Sequence, residues 1–131
     1  MTGERPLVVL ELDHIVLRVR DQGASRRFYT EILGLTLDHV NERAQLVQLR
    51  GGRHLLDLLP GEPATDGAPG GGMDHVCFSI RCDDLVGLAS WLRQQGVAVE
   101  GAVVSRRGAF GDGPSLYIRD PDGYRIELKP R

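Results

Sequence analysis

Asp13-His14-Ile15-Val16 returns 61 residues later as Asp74-His75-Val76-Cys77, and His54-Leu55-Leu56-Asp57-Leu58-Leu59-Pro60 returns 70 residues later as Tyr124-Arg125-Ile126-Glu127-Leu128-Lys129-Pro130. The chain is thus written twice, and each copy carries a His near its start and a carboxylate near its end. A duplicated fold relates equivalent positions by a pseudo-twofold axis. His14, Asp57, His75 and Glu127 can then converge on one point although they span 113 positions of sequence. Two imidazoles and two carboxylates at one point suit a divalent metal.

Working outward from His14, Leu12 to Arg20 alternates apolar and polar residues as a half-buried strand does. Ile15, Leu17 and Val19 form one face, and His14, Val16, Arg18 and Arg20 the other, so Arg18 shares a face with His14. Asp21 predicts the N-cap of a helix through Leu33, with Ala24, Phe28, Ile32 and Leu33 on its buried stripe and Gly34 past its end. Leu35 to Val40, Ala44 to Leu49 and His54 to Leu59 read as three strands, separated by Asn41-Glu42-Arg43 and Arg50-Gly51-Gly52 as turns. The first copy is βαβββ.

Pro60 to Gly72 holds three Pro and five Gly in thirteen residues and reads as a connector. After it, Met73 to Arg81 is the matching strand, Asp83 or Asp84 caps a second helix with Leu85, Leu88, Ala89 and Leu92 inward, and Gly96 ends it. Gly96 lies 62 residues after Gly34, a third landmark of the repeat. Val97 to Glu100, Val103 to Arg106, Ser115 to Arg119 and Tyr124 to Lys129 supply strand segments, with Asp120-Pro121-Asp122-Gly123 as a turn before the last. Arg107 to Pro114 reads as a Gly-rich loop bordering a pocket. The expected fold is α+β: two βαβββ modules in tandem, forming a partly open, barrel-like mixed sheet around a metal site with the helices outside. It is one domain over 1–131, with module 1 at about 10–60, a linker at 61–72 and module 2 at about 73–131.

The composition fits one such domain. A chain of 131 residues and 14.4 kDa buries roughly two-thirds of its unfolded surface on folding. A net charge of -2 offers no basic surplus for nucleic acid or anionic membranes, so neither partner is expected. The longest apolar runs, such as Leu7-Val8-Val9-Leu10, are far shorter than a membrane span, and no basic segment followed by an apolar one marks an export signal. A cytoplasmic location follows as the expectation, with Cys77 and Cys82 as reduced thiols.

Strand parity tests the ligand set. In the closing strand Ile126 and Leu128 alternate with Arg125, Glu127 and Lys129, and in the first copy Leu56 and Leu58 leave Asp57 facing as Glu127 does. All four candidate ligands therefore fall on the face away from the helices. Nitrogen and carboxylate oxygen suit Zn, Ni, Co, Mn or Fe, with open positions for substrate. Asp57, a methylene shorter than Glu127, belongs either to the ligand set or to the groups around it. His39 and His54 read as structural or solvated, and Cys77 as a small buried strand residue. Arg18, Arg125 and Lys129 are either salt-bridged or available to an anionic substrate.

Paired βαβββ modules opening on Asp-His, Phe28-Tyr29-Thr30-Glu31-Ile32-Leu33-Gly34 on the first helix, and Asp120-Pro121-Asp122-Gly123-Tyr124-Arg125-Ile126-Glu127-Leu128 at the end together resemble the vicinal oxygen chelate superfamily. The likeness runs from about Leu12 to Lys129. It implies one divalent metal per chain held by His14, His75 and Glu127, with Asp57 where glyoxalase I has a fourth protein ligand, a Glu. Glu127 would be the catalytic base, moving a proton between neighbouring carbons of a metal-stabilised enediolate. Arg18 falls where glyoxalase I binds the glutathione γ-glutamyl carboxylate, whereas the Asn of that site is Gly61 here. The resemblance thus points to a glyoxalase I-like lyase or isomerase acting on a small oxygenated molecule, thiol adducts included, and to a homodimer. The superfamily also contains extradiol dioxygenases, fosfomycin thiol transferases, which have a Thr where Val16 stands, and metal-free bleomycin-resistance proteins.

Overall fold

A computed structural model describes residues 5–64 and 72–131. Most of the expected connector lies outside the described residues. Module 1 opens with β1 (His14–Val19), whose Leu17 and Val19 are buried while His14, Val16 and Arg18 are exposed, as the alternation requires. Asp21 caps α1 (Gln22–Arg27), its carboxylate accepting from the Ala24 N–H at 3.0 Å. The next turn, Phe28–Ile32, is π-helical, with Leu33 N–H donating to Phe28 O at 3.2 Å. The wider turn brings both Phe28 and Tyr29 inward, and Ser25 lies beneath them, so the buried stripe is Ser25-Phe28-Tyr29, with Ala24, Ile32 and Leu33 only partly buried. A strict 3.6-residue period misses that shift. Gly34, at φ 82°, ends the helix.

Three strands follow, β2 (Thr36–Asn41), β3 (Leu46–Gly51) and β4 (His54–Pro60). They join β1 in the order β1-β4-β3-β2, with β1 parallel to β4 and the other pairs antiparallel. Module 2 repeats the plan: β5 (Val76–Ile80), α2 (Leu85–Gln94) capped by Asp84, β6 (Val99–Gly108), β7 (Gly111–Arg119) and β8 (Arg125–Pro130), in the order β5-β8-β7-β6. The architecture is α+β in tandem βαβββ form. The barrel-like sheet is two separate four-stranded mixed sheets that do not close.

Two segments differ from expectation. Val97 to Arg106 holds one strand instead of two, β6, bent by a register shift between Glu100 and Val104 where Gly101 takes φ 60°. Arg107 to Pro114 is not a loop: it closes the β6–β7 hairpin, with Arg106 opposite Gly113, Arg107 opposite Asp112 and Gly108 opposite Gly111. Only Ala109 and Phe110 remain for the turn, so these glycines serve strand pairing instead of a flexible loop.

One buried cluster draws Leu17, Leu49, Leu56 and Leu58 from module 1 and Leu92, Leu116, Ile118 and Ile126 from module 2. Each such side chain contributes about 1.5–3 kcal/mol by leaving water. Polar contacts fix how the modules meet. Tyr29 donates to Asp120 Oδ2 at 2.6 Å, Arg20 N–H to Asp122 Oδ1 at 3.1 Å, and Tyr124 OH to Arg18 O at 2.8 Å. At about 1 kcal/mol each net, such bonds add less than the apolar cluster but specify orientation. The Asp120–Gly123 turn is thus the socket that receives module 1, and the strand orders make β1 and β2 the edges of the first sheet and β5 and β6 those of the second.

Candidate functional site

The first half of the site is built on β1 and β4. Their parallel register sets Val16 beside Asp57 and His14, two residues earlier on the same face, beside Leu55. His14 Nδ1 lies 2.8 Å from Asp13 Oδ1, and this contact turns Nε2 toward Asp57, whose Oδ2 is 4.0 Å away. Asp57 is 3% exposed, and Gln48 Nε2 donates to both of its oxygens at 3.2 Å. The second half repeats the plan on β5 and β8, where Cys77 pairs with Glu127. His75 Nδ1 lies 2.7 Å from Asp74 Oδ2 and Nε2 lies 3.0 Å from Glu127 Oε1. The extra methylene of Glu accounts for the shorter second distance.

Glu127, 5% exposed, accepts from Ser115 Oγ at 2.6 Å and from Tyr117 OH at 3.0 Å. Burial pulls its pKa up, but these two hydrogen bonds and the neighbouring His75 outweigh burial and leave it below the ordinary carboxylate value. His14 is shifted upward, by the Asp13 hydrogen bond first and the Asp57 charge second. Tyr117 is itself held on three sides: the His75 ring stands edge-on to it at 5.7 Å, the Arg125 guanidinium lies over it at 3.9 Å, and its hydroxyl is spent on Glu127.

The three cations on these faces part company. Arg125 pairs with Glu100 at 3.0 Å, and Arg119 pairs with the same carboxylate, so Arg125 is structural. The side chains of Arg18 and Lys129 have no hydrogen-bond or ion-pair partner among the described residues. Gly61 packs on Arg18, where an added Cβ would stand 3.1 Å from Arg18 Cδ. Cys77 is exposed on the ligand face, not buried as expected, because its strand parity follows His75. Although the residue as a whole is exposed, local desolvation of the thiol comes first, and the Glu127 charge second, in pushing it up to about 11.

The structure therefore joins His14 with Asp57 and His75 with Glu127, but it does not join all four. Among the described residues no group of three His, Cys, Asp or Glu is close enough to hold a metal ion. Each pair still has the form a metal site needs: an imidazole held through Nδ1 by a carboxylate, with Nε2 turned to a second carboxylate. Two depressions of about 360 Å³ lie elsewhere, one bounded by Phe28, Gly96 and Asp120, the other by Ala89, Gly101 and Leu116. Gln48, Ser115 and Tyr117 were missed in the sequence. Gln48 and Tyr117 sit opposite the two carboxylates across equivalent strand pairs, a signal that appears only once the cross-strand register is known.

Paired βαβββ modules that each present an Asp–His–carboxylate set on an open strand face define a class of small-molecule-binding folds, many of them metal enzymes. The chain belongs to the glyoxalase/bleomycin resistance protein/dioxygenase superfamily, whose model matches residues 11–128. It is 32% identical to virulence protein STM3117 of Salmonella typhimurium over 93% of this chain and 85% of that one, and the crystal structure of that protein superposes with a TM-score of 0.75. It is 28% identical to a probable lactoylglutathione lyase of Vibrio cholerae, covering 88% of this chain and 86% of the relative. Glutathione transferase FosA of Serratia marcescens is 32% identical, with 89% and 78% covered.

Proposed function

We propose that this protein is a metal-dependent lyase or isomerase of the glyoxalase I kind, acting in the cytoplasm on a small oxygenated molecule, thiol adducts included. The observation that carries the proposal is the matched pair of Asp–His–carboxylate arrangements. Together they offer two nitrogens and two carboxylates, a set suited to one Ni, Zn, Co, Mn or Fe ion per chain. A second copy of the chain supplies the missing pair. β1 and β5, which carry one half-site each, are both edge strands, so a homodimer can set β1 of one copy beside β5 of the other.

A bound ion supplies Lewis-acid stabilisation of negative charge on adjacent substrate oxygens. Glu127 moves the proton between neighbouring carbons: its depressed pKa delivers it as a carboxylate, and Ser115 and Tyr117 hold its oxygens in place. Asp57 completes the donor set, steadied by Gln48. Arg18, whose side chain has no partner among the described residues, receives a substrate carboxylate. The relatives named as lactoylglutathione lyases support this chemistry. The FosA relative favours a second reading, addition of a thiol to a small molecule. Val16, 46% exposed beside His14, counts against that reading by placing methyl groups where thiol transferases have a hydroxyl.

The test is elemental analysis of protein purified without a metal-binding tag, beside His75→Ala, followed by turnover of methylglyoxal–glutathione hemithioacetal and then catechols. About one metal per chain, lost in His75→Ala, with turnover abolished in Glu127→Gln, is the expected result. A metal-free wild type after incubation with Ni, Zn, Mn or Fe(II) would instead assign the chain to the metal-free binding proteins of its superfamily.

A further inference from the structure

We infer that Lys129 is an anion-binding residue, placed to take a carboxylate or phosphate-type group of the substrate beside Glu127; the inference rests on the site proposed above. Lys129 follows Glu127 by two residues on β8 and so shares its face, and the parallel register sets it beside Ser79 as Glu127 is set beside Cys77. Lys129 is half-buried as a residue, and its ammonium has neither hydrogen-bond nor ion-pair partner among the described residues. An ammonium that the protein itself leaves without a counter-ion can take its charge-assisted hydrogen bonds from an incoming anion.

The second observation is the path of the side chain. Lys129 reaches over β7 to β6 and passes between two glycines of the hairpin. A Cβ on Gly108 would stand 3.0 Å from Cε, and one on Gly113 would stand 2.9 Å from Nζ. Neither glycine has a positive φ, so neither is required there by its backbone. Their effect is to keep open the lane along which the ammonium extends. Arg125, the other cation on this strand face, is tied to Glu100, which leaves Lys129 as the cation of β8 available to an incoming anion.

The test follows amide shifts of Gly108 and Gly113 during titration with inorganic phosphate and, separately, acetate, in wild type, Lys129→Met and Gly113→Ala, with the metal content of each protein measured. Wild type should bind at least one of the two anions, and Lys129→Met should weaken it roughly tenfold at unchanged metal content, since a charge-assisted contact is lost. A preference for phosphate or for acetate identifies the substrate group. Gly113→Ala keeps the lysine but displaces its ammonium, so it should weaken binding in the same direction even if Lys129→Met folds poorly. Equal affinity in wild type and both variants, or no binding to wild type, overturns the inference. Lysine-dependent binding by a protein without metal would uphold Lys129 and remove only the metal reading.

Discussion

Tyr29 is fully buried and its hydroxyl donates a hydrogen bond to Asp120, whose other oxygen accepts from the Asp122 and Tyr124 amides. Tyr29→Phe should therefore destabilise by about 1–3 kcal/mol in urea unfolding, because a buried acceptor loses its donor. Burial first, and the Asp120 charge second, hold the Tyr29 hydroxyl well above its usual pKa. The sign follows: the unfolded tyrosine ionises first, so the stability is complete below about pH 10 and drains away as pH rises toward the folded value. Wild type should lose stability above pH 10 more steeply than Tyr29→Phe. Cys77 makes a second case. With its pKa at about 11, roughly one thiol in a thousand is ionised at pH 8. Glu127→Gln removes a neighbouring negative charge and should speed alkylation of Cys77 by iodoacetamide at pH 8; an unchanged rate would show that the carboxylate does not act on the thiol. The pairing of His14 with Asp57 and of His75 with Glu127 was legible in the sequence because each residue recurs in register. Tyr29, Ser115 and Gln48 stayed hidden because their roles depend on partners across strands or across modules.

At the scale of elements, what was local in cause was legible. Asp21 and Asp84 cap their helices as side-chain chemistry dictates, and Asp84→Ala should cost about 1 kcal/mol by thermal unfolding, with α2 otherwise intact. β1, β5 and β8 follow from alternation, and β4 from its match to β8 in the repeat. The π turn at Phe28–Ile32 was not legible, since one extra residue in a turn leaves no compositional mark. The β6–β7 hairpin failed for the opposite reason: Gly108 and Gly113 look like loop, yet they are spent on pairing and on the passage of Lys129, while Gly111, at φ 97°, serves the tight bend between the strands. Glycine content signals freedom from Cβ, and only the folded context shows whether a turn or a neighbour uses that freedom.

For the whole molecule, repetition foretold two modules and left open how they meet. They join through Tyr29, Arg20 and Tyr124 at the Asp120–Gly123 turn, so the two half-sites stay apart within one chain. Under the dimer proposal His14 of one copy works with His75 of the other. His14→Ala and His75→Ala, each metal-poor alone, should then regain about one metal per mixed dimer when unfolded and refolded together, because one of the two shared sites is complete. Failure of the mixture to bind metal, while wild type binds it, would place all the ligands within one chain.

The open edges of β1 and β5 also bear on how the protein behaves at low abundance. If the dimer proposal holds, a centre whose donors are divided between two molecules exists only while those molecules are together, so output per chain should fall on dilution below the dissociation constant of the pair. In a cell, the amount of chain made would then set the quality of each catalyst as well as the number of catalysts.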